Sequence, residues 1–238
     1  MKIYAIGDLH LSFDSRIRKP MDVFGPAWAH HAQRLERNCR ELVGEEDVVI
    51  VPGDLSWGLR LDEALEDLHW IEALPGRKVM VKGNHDLWWT SIGRIRKMFD
   101  EDRMVFLQND SFCVPGTRLR ICGTRGWNCP GAEGFGEHDE KIYQRELLRL
   151  EMSLADARKQ DTTEIIGALH YPPTNEKKQP SGFTKLLSEY GVKTCVYGHL
   201  HGERNFRRGI TGCLNGVHYR LTSLDYLDAR PTLLKEIE

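Results

Sequence analysis

Five short polar clusters in this chain each follow a run of apolar residues. Asp8 and His10 close "AIGDLH", Asp54 follows "VIVPG", and Asn84, His85 and Asp86 follow "VMVKG". His170 ends "IIGALH", and His199 and His201 stand in "VYGHLH". Imidazole and carboxylate ligands suit divalent first-row metals, and a carboxylate has two oxygens with which to bridge two ions. Asp54 is the natural bridge. In Asp8-Leu9-His10 and His199-Leu200-His201 the donors recur two residues apart, and in extended backbone such residues project to one side while the leucine points away. Gly7, Gly53, Gly83 and Gly198 each precede a donor or its loop, where a missing Cβ lets the chain turn sharply.

Donors spread over nearly the whole chain need a scaffold that gathers them. Apolar runs at 2–6, 47–51, 77–82, 118–122, 164–169 and 193–197 predict strands, with helix-like stretches at 27–43 and 61–73 between the first ones. That alternation predicts an α/β fold whose sheet is largely parallel or mixed. Parallel strands bring successive carboxyl ends to one edge, where ligands bind in such folds. A helix is expected over 138–159, with Tyr143, Leu147, Leu150, Leu154 and Ala157 as its core stripe. The glycine-rich stretch 124–136 reads as a long loop, and "HYRLTSL" and "PTLLKEI" read as closing strands.

At 238 residues the chain is expected to form a single domain, 1–238, without linkers or repeats. The 33 basic and 35 acidic residues nearly cancel, so no global field favours nucleic acid or an anionic membrane, although a local groove for nucleic acid stays open. The amino-terminal stretch enters a strand at once without signal-peptide features, and no apolar run is long enough to span a bilayer. A cytoplasmic location is the expectation. Six scattered cysteines lack metal-site or paired spacing and read as reduced, mostly packed thiols.

The ordered set D-x-H, G-D, G-N-H-D, a lone H and G-H-x-H, running from Asp8 to His201, resembles the calcineurin-like metallophosphoesterase superfamily. The resemblance implies an α/β/β/α sandwich with a dinuclear metal site at the carboxyl edge of the sheets. It implies Asp8, His10, Asp54 and His201 as ligands of one metal, and Asp54, Asn84, His170 and His199 as ligands of the other. His85 matches the catalytic histidine near the leaving group, with Asp86 hydrogen-bonding its ring. The implied cofactors are two divalent or mixed-valence transition-metal ions: manganese or iron first, with zinc and cobalt also suiting the donors. The implied reaction is attack of a metal-bridging hydroxide on a small-molecule phosphate ester, diester slightly ahead of monoester.

The chain departs from the protein serine/threonine phosphatase branch, which continues its second motif with valine, aspartate and arginine and has glutamate after G-N-H. Here the sequence reads "GDLSWG" and "GNHD", closer to the diesterase and small-molecule branches. A nuclease and a non-catalytic metal-binding scaffold are the alternatives, and a complete donor set argues against the scaffold. Arg125, just past another strand, is a candidate phosphate clamp. Trp57, Trp88 and Trp89 read either as stacking surfaces or as packing over the metal loops. Tyr171 reads as a substrate contact or a packing residue, and His30, His31, His69, His138 and His218 as surface or structural histidines. Substrate and oligomeric state are beyond the sequence.

Overall fold

The computed structural model describes residues 1–237. The first half of the chain runs β1 (Lys2–Ala5), α1 (His31–Leu42), β2 (Val48–Pro52), α2 (Leu61–Glu72), β3 (Arg77–Val81), α3 (Ile92–Arg96) and β4 (Met104–Phe106). Then follow β5 (Ser111–Cys113), β6 (Leu119–Thr124), α4 (Glu137–Arg158), β7 (Glu164–Leu169), α5 (Gly182–Glu189) and β8 (Thr194–Tyr197). The chain closes with α6 (Glu203–Phe206), β9 (Gly212–Leu214), β10 (Val217–Leu221) and β11 (Thr232–Glu236).

Two mixed sheets result, ordered β11-β1-β2-β3-β4 and β5-β6-β7-β8-β10-β9. Strands β1 to β4 pair in parallel, as do β6, β7, β8 and β10, while β11, β5 and β9 are antiparallel edges. Ile3, Ala5, Val48, Ile50 and Val79 of the first sheet meet Ile121, Ile166, Ala168 and Val196 of the second. The alternate residues face outward. Tyr4, Val49, Val51 and Met80 lie under Leu35, Cys39, Leu68 and Ile71 of α1 and α2. On the far side Cys122, Cys195 and Tyr197 lie under Leu150 and Leu154 of α4 and Phe183 and Leu187 of α5. The strands are therefore buried on both faces, which is why they read as continuous apolar runs rather than as alternations. The layers are the expected α/β/β/α sandwich.

Two details differ from the sequence reading. The helix expected from residue 27 begins at His31, because Gly25 and Pro26 divert the chain into 3-10 turns at Met21–Phe24 and Pro26–Trp28. The strands β4, β5 and β9 are three residues each, too short to carry a period. The cysteines are mostly packed, as expected: Cys39, Cys122, Cys129 and Cys195 are buried, and Cys113 and Cys213 are exposed. Among the described residues no helix is long and apolar enough to cross a membrane.

Candidate metal centre

The carboxyl ends of β1, β2, β3, β7 and β8 lie along one edge of the two sheets, and each delivers one polar cluster. Asp8, His10, Asp54 and His170 are nearly inaccessible to solvent, while Asn84, His85, His199 and His201 are partly buried. The Asp8 Oδ1 oxygen is 3.6 Å from His201 Nε2, and His10 Nε2 is 3.2 Å from His201 Nε2. On the other side Asn84 Oδ1 lies 2.7 Å from His170 Nε2 and 2.9 Å from His199 Nδ1. Asp54 Oδ2 stands between the groups, 3.7 Å from His10 Nε2 and 3.5 Å from His170 Nε2. The seven residues expected as ligands are thus brought together, and the His85 ring lies 5.6 Å from that of His10.

The backbone that does this is not the expected extended one. Asp8, His10, Asp54 and His199 have φ of 57°, 46°, 51° and 71°, in the left-handed region that costs L-residues roughly 1–2 kcal/mol each. Donors two residues apart converge because the chain coils. The turn is held by a ladder in which Asp8 N–H donates to Gly53 O at 2.9 Å, His10 N–H to Asp54 O at 2.9 Å and Leu11 N–H to Leu55 O at 3.0 Å. Of the four marker glycines only Gly53 has positive φ, 89°. Gly83 and Gly198 serve close approach instead: a Cβ there would run into the carboxylates of Asp54 and Asp8.

The donor chemistry fits a pair of cations. Among the described residues no lysine or arginine pairs with Asp8 or Asp54, and Asp54 Oδ2 is a buried acceptor with no hydrogen-bond donor. With protein groups alone, burial pushes Asp8 and Asp54 up from the usual carboxylate range. Burial pushes His10 and His199 well below the usual histidine value and His170 down to about 3. Neutral imidazoles with buried carboxylates form a ligand set. The His170 Nδ1 atom lies 3.0 Å from the Pro52 carbonyl, where an N–H would donate and leave Nε2 free for an ion.

The structure departs from two of the expected roles. Asp86 does not support the His85 ring. Its carboxylate accepts from the backbone N–H of Gly83 at 2.8 Å, Asp54 at 2.9 Å, Leu55 at 2.9 Å and Ser56 at 3.3 Å, and from Trp88 Nε1 at 3.1 Å. It ties two donor loops together. Arg125 is drawn away from a clamp role: its guanidinium pairs with the fully buried Glu146 at 3.4 Å and stacks on Trp127 at 4.6 Å. Glu146 also anchors Arg145 and Arg149, at 3.7 Å and 2.8 Å, so the group points toward α4. Trp88 and Trp89 are core residues, and Tyr171 is a buried platform under His199, ring centroids 4.1 Å apart. Trp57 instead stacks on His10 at 4.8 Å and lies 4.2 Å from the His85 ring.

Asp225 was missed. Its Oδ1 lies 2.9 Å from His201 Nδ1, and its Oδ2 accepts from Gly202 N–H at 3.0 Å. The sequence carries a signal for it, since "TSLD", residues 222–225, follows β10, a further parallel strand with its carboxyl end on the same edge. Asp225→Ala is expected to weaken metal binding by roughly 10- to 100-fold while the protein stays folded, as read by titration against a competing chelating dye.

A cavity opens on each side of the cluster. One of about 420 Å³ is bordered by His10, His85 and His201; the other, about 360 Å³, borders His199 and Leu200.

Residues 1–203 match the calcineurin-like phosphoesterase family. The chain belongs to that family. The family is one of metal-dependent phosphate-ester hydrolysis. This calcineurin-like phosphoesterase is also similar to the gene 66 protein of Mycobacterium phage D29, 36% identical over 84 residues, which is 35% of this chain and 40% of that protein. The chain thus spans less than half of that relative's length. A crystal structure of a protein of unknown function from Aquifex aeolicus shares the fold, with a TM-score of 0.51 and 17% identity over 98% of this chain and 95% of that one.

Proposed function

We propose that this calcineurin-like phosphoesterase, acting as one domain, is a dinuclear metal-dependent phosphodiesterase. Asp54 carries the reading: one buried, donor-free carboxylate oxygen stands within 3.7 Å of imidazole nitrogens from both halves of the site. Asp8, His10, Asp54 and His201 would hold one ion, and Asp54, Asn84, His170 and His199 the other. Ions held there would acidify a water and offset charge on the phosphoryl oxygens. The two flanking cavities favour a diester, because each can take one ester arm.

The chain's own groups do the positioning. His85 is fixed by its backbone N–H, which donates to Asp54 Oδ1 at 2.8 Å, and its ring is braced by Trp57. Burial, partly offset by the Asp54 charge, holds its pKa below the usual histidine value; its position beside the metal edge is what suits the ring to pass a proton to a departing alkoxide. Asp86 fixes the loops on either side, and the Asp225 carboxylate and Pro52 carbonyl orient His201 and His170.

The deciding comparison is hydrolysis of bis- and mono-(p-nitrophenyl) phosphate by manganese-loaded protein. Faster turnover of the diester is expected, and preference for the monoester would overturn the diesterase assignment. In His85→Ala, alkyl diesters are expected to lose roughly 10²- to 10⁴-fold in kcat, with a smaller loss on p-nitrophenyl esters, whose leaving group needs no proton. Equal losses on both would remove the acid role.

A further inference from the structure

Residues 12–30, between β1 and α1, arch over the metal edge. Met21 and Trp28 are buried and anchor the arch. Arg34 donates to the Ala27 carbonyl at 2.8 Å, Arg16 to Asp62 at 2.8 Å, and Phe13 N–H to Asp67 at 2.8 Å. Held this way, the arch leaves Val23 and Phe24 72% and 68% exposed, an apolar lip with no packing partner. Beneath it lies the cavity beside His85, walled by Met21, Phe24, Trp28 and Trp57.

Of the polar groups on the walls of this cavity, the Trp57 indole and the outer nitrogen of His201 are already engaged, and the His85 ring stands free at its metal end. Trp57 Nε1 donates to the Met21 sulfur at 3.3 Å, and His201 Nδ1 meets Asp225. A hydroxyl-rich group entering here would give up water for few partners along the walls of Met21, Phe24, Trp28 and Trp57, whereas a ring would gain contact with those aromatic walls. The cavity beside His199 is the opposite, bordered by Asn128, Glu133, Thr174, Asn175, Glu176 and Arg208.

We infer that the cavity beside His85 receives the leaving alcohol, and that this alcohol is apolar and carries a planar ring, while the retained arm is polar. The inference rests on the diesterase reading above. Because His85 borders the apolar cavity, the oxygen that takes its proton belongs to the apolar arm. Water adds its oxygen to phosphorus, the P–O bond of the apolar arm breaks, and the proton from His85 goes to the departing oxygen. A proton released by the water restores the balance. The products are the ring-bearing alcohol and the phosphate monoester of the polar one.

The probe is a mixed diester joining phenylethanol and methoxyethanol, two alkyl alcohols of similar acidity, so intrinsic leaving ability does not decide the outcome. The manganese-loaded protein is expected to release phenylethanol over methoxyethanol by roughly tenfold, the scale of burying one ring. In Phe24→Ser and Trp57→Ala the ratio is expected to fall toward one. Trp57 also touches His10, so metal content is measured alongside; Phe24 is exposed and its variant carries the test if the other does not fold. Equal release by the native protein, or preferred release of methoxyethanol, would overturn the inference. So would failure to cleave the mixed diester while bis(p-nitrophenyl) phosphate is still hydrolysed. Failure on every phosphate ester would instead overturn the diesterase reading itself.

Discussion

Asp54→Asn is expected to lower kcat/KM by roughly a thousandfold, the scale of several kcal/mol of charge stabilisation, and to reduce manganese from two ions per chain to one or fewer. The substitution spares the fold. An asparagine oxygen still accepts from His85 N–H, as Asp54 Oδ1 does at 2.8 Å. The new amide N–H₂ replaces Oδ2 beside the Nε2 atoms of His10 and His170, 3.7 Å and 3.5 Å away. A buried carboxylate with one oxygen lacking a donor becomes a neutral group. The metal-stripped variant is therefore expected to melt at or above the native temperature. A stable variant that keeps two ions and full turnover would show that Asp54 does not bridge.

Asp86→Ala is expected to do the reverse. The carboxylate accepts from four backbone N–H groups and one indole N–H. Its removal strands several buried donors at once, each costing about 1–3 kcal/mol and summing less than additively. A loss of about 3–5 kcal/mol is expected, measured by denaturant titration of metal-stripped protein. Because these amides belong to the loops carrying Asp54 and Asn84, metal affinity should fall with stability, and excess manganese should restore part of both. A residue that merely oriented the His85 ring would leave stability and metal content unchanged and lower kcat alone. Two fully buried aspartates, 32 positions apart, thus have opposite roles: one costs the fold to serve the site, the other secures the fold beneath it.

The strand ends were legible in the sequence because each strand is an unbroken apolar run and each polar cluster interrupts it abruptly. Parallel pairing then puts Asp8, Asp54 and Asn84 at one edge of the first sheet and His170 and His199 at one edge of the second. What remained hidden depends on distances that no spacing encodes. Asp86 reads as a histidine partner because it is adjacent to His85, yet its oxygens are taken by amides from the β2 end. Arg125 follows its strand just as a clamp would, yet Glu146, 21 positions later on α4, draws it off. Asp225 follows β10, which pairs in parallel with β8. Had that terminal strand been read as parallel, the rule that found the others would have found Asp225. The left-handed turns at Asp8 and Asp54 are invisible for another reason: tertiary contacts impose them against the residues' own preference.

The donors do not come from one sheet. Asp8, His10, Asp54 and Asn84 belong to the sheet of β1, β2 and β3, whereas His170, His199 and His201 belong to that of β7 and β8. Away from this edge the two sheets meet largely through side chains such as Ile50 and Ile166, a contact without direction that tolerates sliding. Ions held as proposed would act as rivets across that seam, fixing one sheet's register against the other where the substrate must be gripped. Chelators and heat would then be two ways of opening the same joint, and the chain would be at its stiffest when armed for catalysis.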